Sequence, residues 1–349
     1  MTNESTARVA IVLVNWNGWR ECIECIDSFM VQSHETFHAF VVDNDSQNES
    51  IEHIVSWCAA PTADPTWRRH PGVLRLTDRA DLSPIAVRVL LHLDQTLPPP
   101  PEGCRLTLLR SGGNLGFAGG CNVGIKAAGL QNFDWFWFLN ADTVVQDVAL
   151  TELIRHAQRR PGIGIVGSTL RYYDQPDALQ AMGGARLNRS NGMTRHIGQG
   201  ARLCDVPTDG AAVERDMDYV AGASMLVSTQ FISEIGLMAE DYFLYYEEID
   251  WALRGGSRFS LGYAPRSHVF HKVGVNSIKT MPLFSLRFYY NNQIRFVQRY
   301  FPGRLAAVKR SLFVQMLRHI ARGRWAHARL VLTTLLTANQ LAAGVSQKR

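Results

Sequence analysis

The sequence predicts an α/β protein with a mostly parallel central sheet and helices on both faces. Three observations carry this. Apolar runs too continuous for a one-sided strand recur along the front half: VAIVLV at 9–14, residues 37–42 and WFWFL at 135–139. Helix-period segments separate them, and each run ends in polar turn residues. In order, the pattern predicts a strand over 9–14, a helix over 19–31, a strand over 37–42 and a helix over 51–57. It continues with a strand over 105–109, a helix over 119–128, a strand over 135–139, a helix over 148–159 and a strand over 163–167. Residues 58–104 interrupt the rhythm. They hold eight of the fourteen prolines, four of them consecutive at 98–101, and read as an inserted surface excursion with a short helix near 85–93. Beyond it, 174–200 reads as a loop or hairpin region, 247–253 as a helix, and 283–300, 303–321 and 324–342 as three further helices.

Composition narrows the class. With 46% hydrophobic and 19% charged residues among 349, the chain can bury a sizeable core and is not a disordered protein. The opening residues MTNESTA carry no basic signal region, and no uninterrupted apolar stretch reaches membrane-spanning length. Six cysteines are too few for a disulfide scaffold, so a reduced, cytoplasmic protein is expected. Cys22 and Cys25 have redox-motif spacing but fall inside a helix, where two buried thiols are the simpler expectation. Charge is uneven: residues 281–349 hold twelve Lys or Arg and no Asp or Glu, a +12 that leaves −7 on the first 280 of a chain with net +5. Such a basic segment suits an anionic surface or partner, or forms a solvated helical face. The chain divides accordingly into a catalytic region over 1–280 and a basic helical region over 281–349.

Ligands of open parallel sheets bind at the carboxyl ends of the strands. The residues there are Asn15-Trp16-Asn17, Asp43, the glycine-rich 114–122 and Asn140-Ala141-Asp142. An aromatic ring, a carboxylate, a close backbone approach and a second carboxylate on one edge suit a nucleotide with a metal on its diphosphate. Asp142 is a candidate ligand for Mg²⁺ or Mn²⁺, or alternatively a helix N-cap. The glycine-rich stretch is neither Gly-x-Gly-x-x-Gly nor a Gly-Lys-Ser/Thr loop, which excludes the two large nucleotide-binding classes. Glu247, Glu248 and Asp250 repel one another. This raises at least one pKa, as a general base requires, although an acidic first helical turn has the same appearance. His268 and His271 lie in a strand-like run on opposite faces, so they are not expected to share a ligand.

Taken together, VAIVLVNWNG, FVVDNDSQNES, GGNLGFAGGCNVGI, WFLNADTVV, YVAGASMLVS, YFLYYEEIDWALR and YAPRSHVFHKVG resemble the family-2 inverting glycosyltransferases of the GT-A fold, nearest the rhamnosyltransferase-like subgroup. The likeness runs from residue 9 to about 274, outside the Pro-rich excursion. It implies that Trp16, with Asn15 beside it, covers the nucleobase and that Asp43 binds the base or ribose. Asn114, Gly116 and Asn122 would line the diphosphate and donor sugar. Asn140 and Asp142 would form the Asp-x-Asp-like motif, with Asp142 on the metal and His271 near it. Gly222 and Ala223 would floor the sugar site. Glu248 would be the base, where the family usually has Asp, with Asp250 or Glu247 as fallback. Tyr289-Tyr290-Asn291-Asn292 lacks the family's Arg before the second Asn.

The expected activity is transfer of a sugar, with rhamnose the first choice, from a dTDP- or UDP-linked donor to a hydroxyl of a glycan or lipid-linked acceptor. The reaction would be a direct displacement with inversion. The acceptors of such enzymes imply a site at the cytoplasmic face of an anionic membrane, and no nucleic-acid partner. A nucleotidyltransferase and a non-catalytic sugar-nucleotide or glycan-binding protein are the alternatives. The first would want a basic, glycine-rich loop directly after the first strand, where Asn-Trp-Asn-Gly stands.

Overall fold

The computed structural model describes residues 7–61, 83–90, 101–272 and 281–346. The chain begins β1 (Val9–Asn15), α1 (Trp19–Phe29), β2 (Phe37–Asp43), α2 (Ser50–Ala59), β3 (Val87–Leu90), β4 (Leu106–Arg110) and α3 (Gly116–Ala128). It continues β5 (Trp135–Asn140), β6 (Thr143–Val145), α4 (Ala149–Gln158), β7 (Ile163–Tyr172), β8 (Leu179–Met182), β9 (Gly184–Asn188) and β10 (Met193–His196). Then come α5 (Ala211–Asp216), β11 (Tyr219–Val220), β12 (Ser224–Ser228), α6 (Thr229–Ile235), α7 (Glu247–Gly255) and β13 (Ser260–His271). Three helices close the chain: α8 (Leu283–Tyr300), α9 (Leu305–Ala321) and α10 (Trp325–Ser346).

The main sheet runs β3-β4-β2-β1-β5-β12-β7-β13-β6, with β8 beside β7. β3, β4, β2, β1 and β5 are mutually parallel, as are β7 and β13. β12 runs antiparallel between β5 and β7. Alternate residues of the apolar runs feed two cores. Ile11, Leu13, Val41, Trp137 and Leu139 pack under one helical layer, while Val12, Phe40, Val42, Phe136 and Phe138 pack under the other. This is why the runs are apolar at almost every position. Glycine shapes one contact closely. A Cβ on Gly120 would stand 2.7 Å from a Val14 methyl, and one on Gly124 would stand 2.5 Å from a Val12 methyl, so these glycines let α3 settle onto β1. They serve packing; the close approach in the site belongs to Gly116.

Three expectations are corrected or extended. The helix expected near 85–93 is, over its described residues, the edge strand β3, paired parallel with β4. Its Val-Arg-Val-Leu sequence alternates and suits a half-buried strand better than a helix turn. The remainder of the Pro-rich excursion, 62–82 and 91–100, lies outside the described residues. Residues 174–200 contain β8, β9 and β10, and the last two form a second small sheet with β11, in which β9 is the middle strand. The run around His268 and His271 belongs to the twelve-residue β13, whose pairing with β7 skips residues 265–267. Pro265, which cannot donate to a ladder, sits in that bulge.

The basic helices do not form a loose tail. Leu286, Tyr290, Ile294 and Val297 form one face of α8, and with Val308, Leu312, Met316 and Val331 they share a core with Tyr242, Tyr246 and Ile249. No helix among the described residues is long and apolar enough to cross a membrane.

Candidate functional site

Parallel register brings the expected residues to one edge. Asn15 lies opposite Asp43, and Val14 opposite Asn140, so the carboxyl ends of β1, β2 and β5 are level. The Asn15 amide donates to Asp43 Oδ1 (3.0 Å) and Ser46 Oγ (3.2 Å), and Ser46 N donates to Asp43 Oδ2 (3.2 Å). Asp43 borders a cavity of about 230 Å³ shared with Ser46, Gln47, Ser50 and Arg110. Trp16 is half exposed, and its ring stacks on Phe284 at 6.2 Å, at the rim of the site.

The loop into α3 is held by Asn44, one residue beyond the one the sequence singled out. Its amide donates to Asn114 Oδ1 (3.2 Å) and Gly116 O (3.1 Å), while its carbonyl accepts from Leu115 N (3.1 Å). Gly116 has φ +71°, and a Cβ there would strike the Phe243 carbonyl at 2.2 Å. Asn122, expected along the donor, points its amide into the interior. It is buried and bonded to Met238 N and O and to Glu240 Oε1, so it anchors the 238–240 segment instead. An amide engaged at both ends has little left to offer a ligand.

Asp142 and His271 converge. His271 Nδ1 meets Gln180 Oε1 at 2.9 Å, which leaves Nε2 with its lone pair 3.1 Å from Asp142 Oδ1 and 3.4 Å from the Asn140 amide. A lone pair and a carboxylate that close repel unless a proton or cation lies between them, so the pair fits a divalent ion. Asp142 keeps a 39% exposed side chain, against 6% for His271, so one partner opens to the site and the other fixes it from behind. When Nε2 carries a proton instead, burial still pushes the Asp142 carboxyl up, but the charge and hydrogen bond of His271, with Lys272, outweigh it and hold the group below the usual carboxylate range. His268 faces elsewhere, into a cavity of about 390 Å³ with His156 and Arg266, and burial lowers its pKa to about 4. The two side chains thus open to different spaces.

Gly222 and Ala223 join the two halves of the site. Ala223 O accepts from Asn140 N (3.2 Å), and a Cβ on Gly222 would lie 3.6 Å from Glu248 Oε1. Glu248 is partly exposed and its Oε2, though buried, has no hydrogen-bond partner among the described residues. Loss of water raises its pKa to about 7. Glu247 lies deeper, raised well above the carboxylate range by burial and then by the charge of Glu248. Asp250, the fallback base, lies in a different environment. It is fully buried and accepts from Tyr300 OH (2.7 Å), Arg254 Nε (2.8 Å), Arg299 Nη1 (2.9 Å) and Tyr242 OH (3.2 Å). Its full burial under these donors, three of them on Oδ1, places it in the packing of α7 against α8 and away from the open edge of the site.

What aims Glu248 is the aromatic turn before it. Phe243, Tyr245 and Tyr246 all have positive φ (64°, 69° and 78°), a conformation that costs bulky residues about 1–3 kcal/mol each. Asn292 holds it there, its one amide nitrogen donating to the carbonyls of Tyr242 (2.7 Å), Leu244 (2.8 Å) and Tyr245 (3.0 Å). Phe117 N adds a bond to Phe243 O (2.7 Å). The sequence offered one signal, an Asn at a helix-interior position where propensity disfavours it. In Asn292→Ala these carbonyls lose their donor, at about 1–3 kcal/mol for a buried unpaired group. The variant is expected to melt lower and to lose turnover more than donor affinity. An unchanged melting temperature and turnover would show that the turn holds itself.

Residues 92–218 match the family Glycosyl transferase family 2. Among solved structures the chain is similar to the mannosyltransferase PcManGT from Pyrobaculum calidifontis, in complex with GDP-Man and Mn²⁺, at 13% identity. That likeness covers 98% of this chain and 76% of that one, with a TM-score of 0.52. Similarity also extends to S. aureus TarS, at 11% identity over 89% of this chain and 43% of that one, with a TM-score of 0.49. No curated protein matches the chain in sequence. The fold is the GT-A arrangement of a large, mostly parallel sheet with flanking helices.

Proposed function

We propose that the chain is an inverting family-2 glycosyltransferase. It moves a sugar from a nucleoside diphosphate to a hydroxyl of a glycan or lipid-linked acceptor. The observation that carries this reading is the placement of Glu248, desolvated and with its Oε2 free of hydrogen bonds among the described residues, beside Gly222, on the same sheet edge as the Asp142–His271 pair. Glu248 takes the acceptor proton as that oxygen attacks the anomeric carbon, and the bond to the diphosphate breaks with inversion. Asp142 and His271 would hold Mg²⁺ or Mn²⁺, and such an ion, once bound, offsets charge on the leaving diphosphate. Asp43 and the cavity beside it support recognition of the base or ribose, with Trp16 at the rim. The Asn44–Asn114–Gly116 turn gives the diphosphate a close backbone approach.

Rhamnose on dTDP is the first choice of donor and UDP-sugars the second. The GDP-Man held by the mannosyltransferase neighbour adds GDP-sugars to the panel to be tested. The test is thermal denaturation with Mn²⁺ across dTDP-, UDP- and GDP-sugars. One nucleotide class is expected to raise the melting temperature in a metal-dependent way, as a ligand bound only by the folded state must. Asp142→Ala is expected to abolish that shift. A chain stabilised by none of the three would not be a nucleotide-sugar enzyme.

A further inference from the structure

The basic helices carry an exposed apolar face that their own core does not explain. Leu317 (47%), Ile320 (37%) and Trp325 (67%) stand in solvent, interleaved with the exposed Arg318, Arg322 and Arg324. Their position follows from helix register. Tyr290 OH donates to Gln315 Oε1 at 3.3 Å, ten residues before the end of α8 and ten residues into α9. Positions equally far from the connecting turn thus meet, so α9 folds back along α8 and its last turn lies toward the end at which α8 begins. The His319 and His327 rings stack at 5.1 Å and hold the start of α10 at that same end. The first turn of α8 carries the exposed Leu283 and Phe284, and Phe284 stacks on Trp16 at the rim of the nucleotide site. One end of the helical bundle thus carries an arginine-rich apolar surface, and the same bundle reaches the mouth of the site through Phe284.

We propose that this end docks on an anionic lipid bilayer and so presents the site to an acceptor anchored there. The charge argues for this occupant: residues 281–349 contain twelve cations and no carboxylate, and arginine with tryptophan and branched apolar residues suits a headgroup interface. Pairing with a second copy would set two such surfaces against each other and is disfavoured by repulsion. A nucleic acid would leave Leu317, Ile320 and Trp325 unburied. The docking itself does not depend on the glycosyltransferase reading, but delivery of an acceptor does.

The experiment is flotation of the full chain with phosphatidylcholine vesicles, with and without phosphatidylglycerol. The chain is expected to float with the anionic vesicles, less so at high salt, and not with the neutral ones. Arg318→Glu/Arg322→Glu/Arg324→Glu is expected to lower binding about tenfold or more, and Trp325→Ala to lower it less. Both variants should keep the wild-type melting temperature and donor shift, which separates loss of docking from loss of fold or of the nucleotide site. No flotation with either vesicle, equal flotation with both, or unchanged flotation of the triple variant would overturn the proposal. So would a stable dimer that buries Trp325.

Discussion

Glu248→Gln is expected to lose about 10²–10⁴-fold in turnover, the usual contribution of a positioned general base, while the donor still raises its melting temperature as in the wild type. Gln keeps the size and the contacts with Gly222 and the aromatic turn, and removes only the capacity to take a proton. The wild-type rate should rise with pH through about 7, because the carboxyl must be ionised to act and burial holds its pKa there. The effect on stability has the opposite sign. An unfolded Glu loses its proton near 4.3. The folded Glu248 keeps its proton to higher pH, so its contribution to stability falls as pH rises from that value to about 7. Glu248→Gln should therefore be at least as stable as the wild type at pH 8. Turnover within a factor of two of wild type, or a pH profile flat across 6–8, would place the base elsewhere.

Asp250→Ala is expected to be the most damaging single change to stability, at about 3–5 kcal/mol, because it leaves a buried charged cluster without its acceptor. Arg254 and Arg299 converge on Asp250 with the Tyr242 and Tyr300 hydroxyls, and this knot ties α7 to α8 directly below Glu248. The milder Asp250→Asn keeps the shape and separates the roles. If Asp250 is structural, this variant should lower the urea midpoint yet keep most of the turnover of the molecules that remain folded. A folded Asp250→Asn protein with turnover lost a hundredfold would make Asp250 the base and overturn the reading of Glu248.

The parallel sheet was legible because its signal is local. A strand covered on both faces is apolar at almost every position, and Val9–Asn15, Phe37–Asp43 and Trp135–Asn140 announce themselves that way, with the buried His38, bonded to Thr107, as the polar exception inside a run. Once the strands are parallel, the residues after them share one edge, so Asn15, Asp43 and Asp142 could be grouped from sequence. The nearness of His271 to Asp142 came only from the family resemblance. Short edge elements were less legible. The strand Val87–Leu90 and the Pro265 bulge draw their structure from a neighbouring strand, which no local period records.

What the sequence determined by itself was therefore the layered α/β architecture, the list of carboxylates and the sharp split of charge. Tertiary structure alone decided what surrounds each of those carboxylates. Glu247, Glu248 and Asp250 are three carboxylates within four positions of one helix start, alike to any reading of spacing. The structure places Asp250 under four donors, Glu247 in the interior and Glu248 at the surface of the site without a partner. The reason is physical. A carboxylate's function depends on which donors and how much water surround it, and two of the four donors on Asp250 come from Arg299 and Tyr300, 49 and 50 residues away in sequence and fixed by packing.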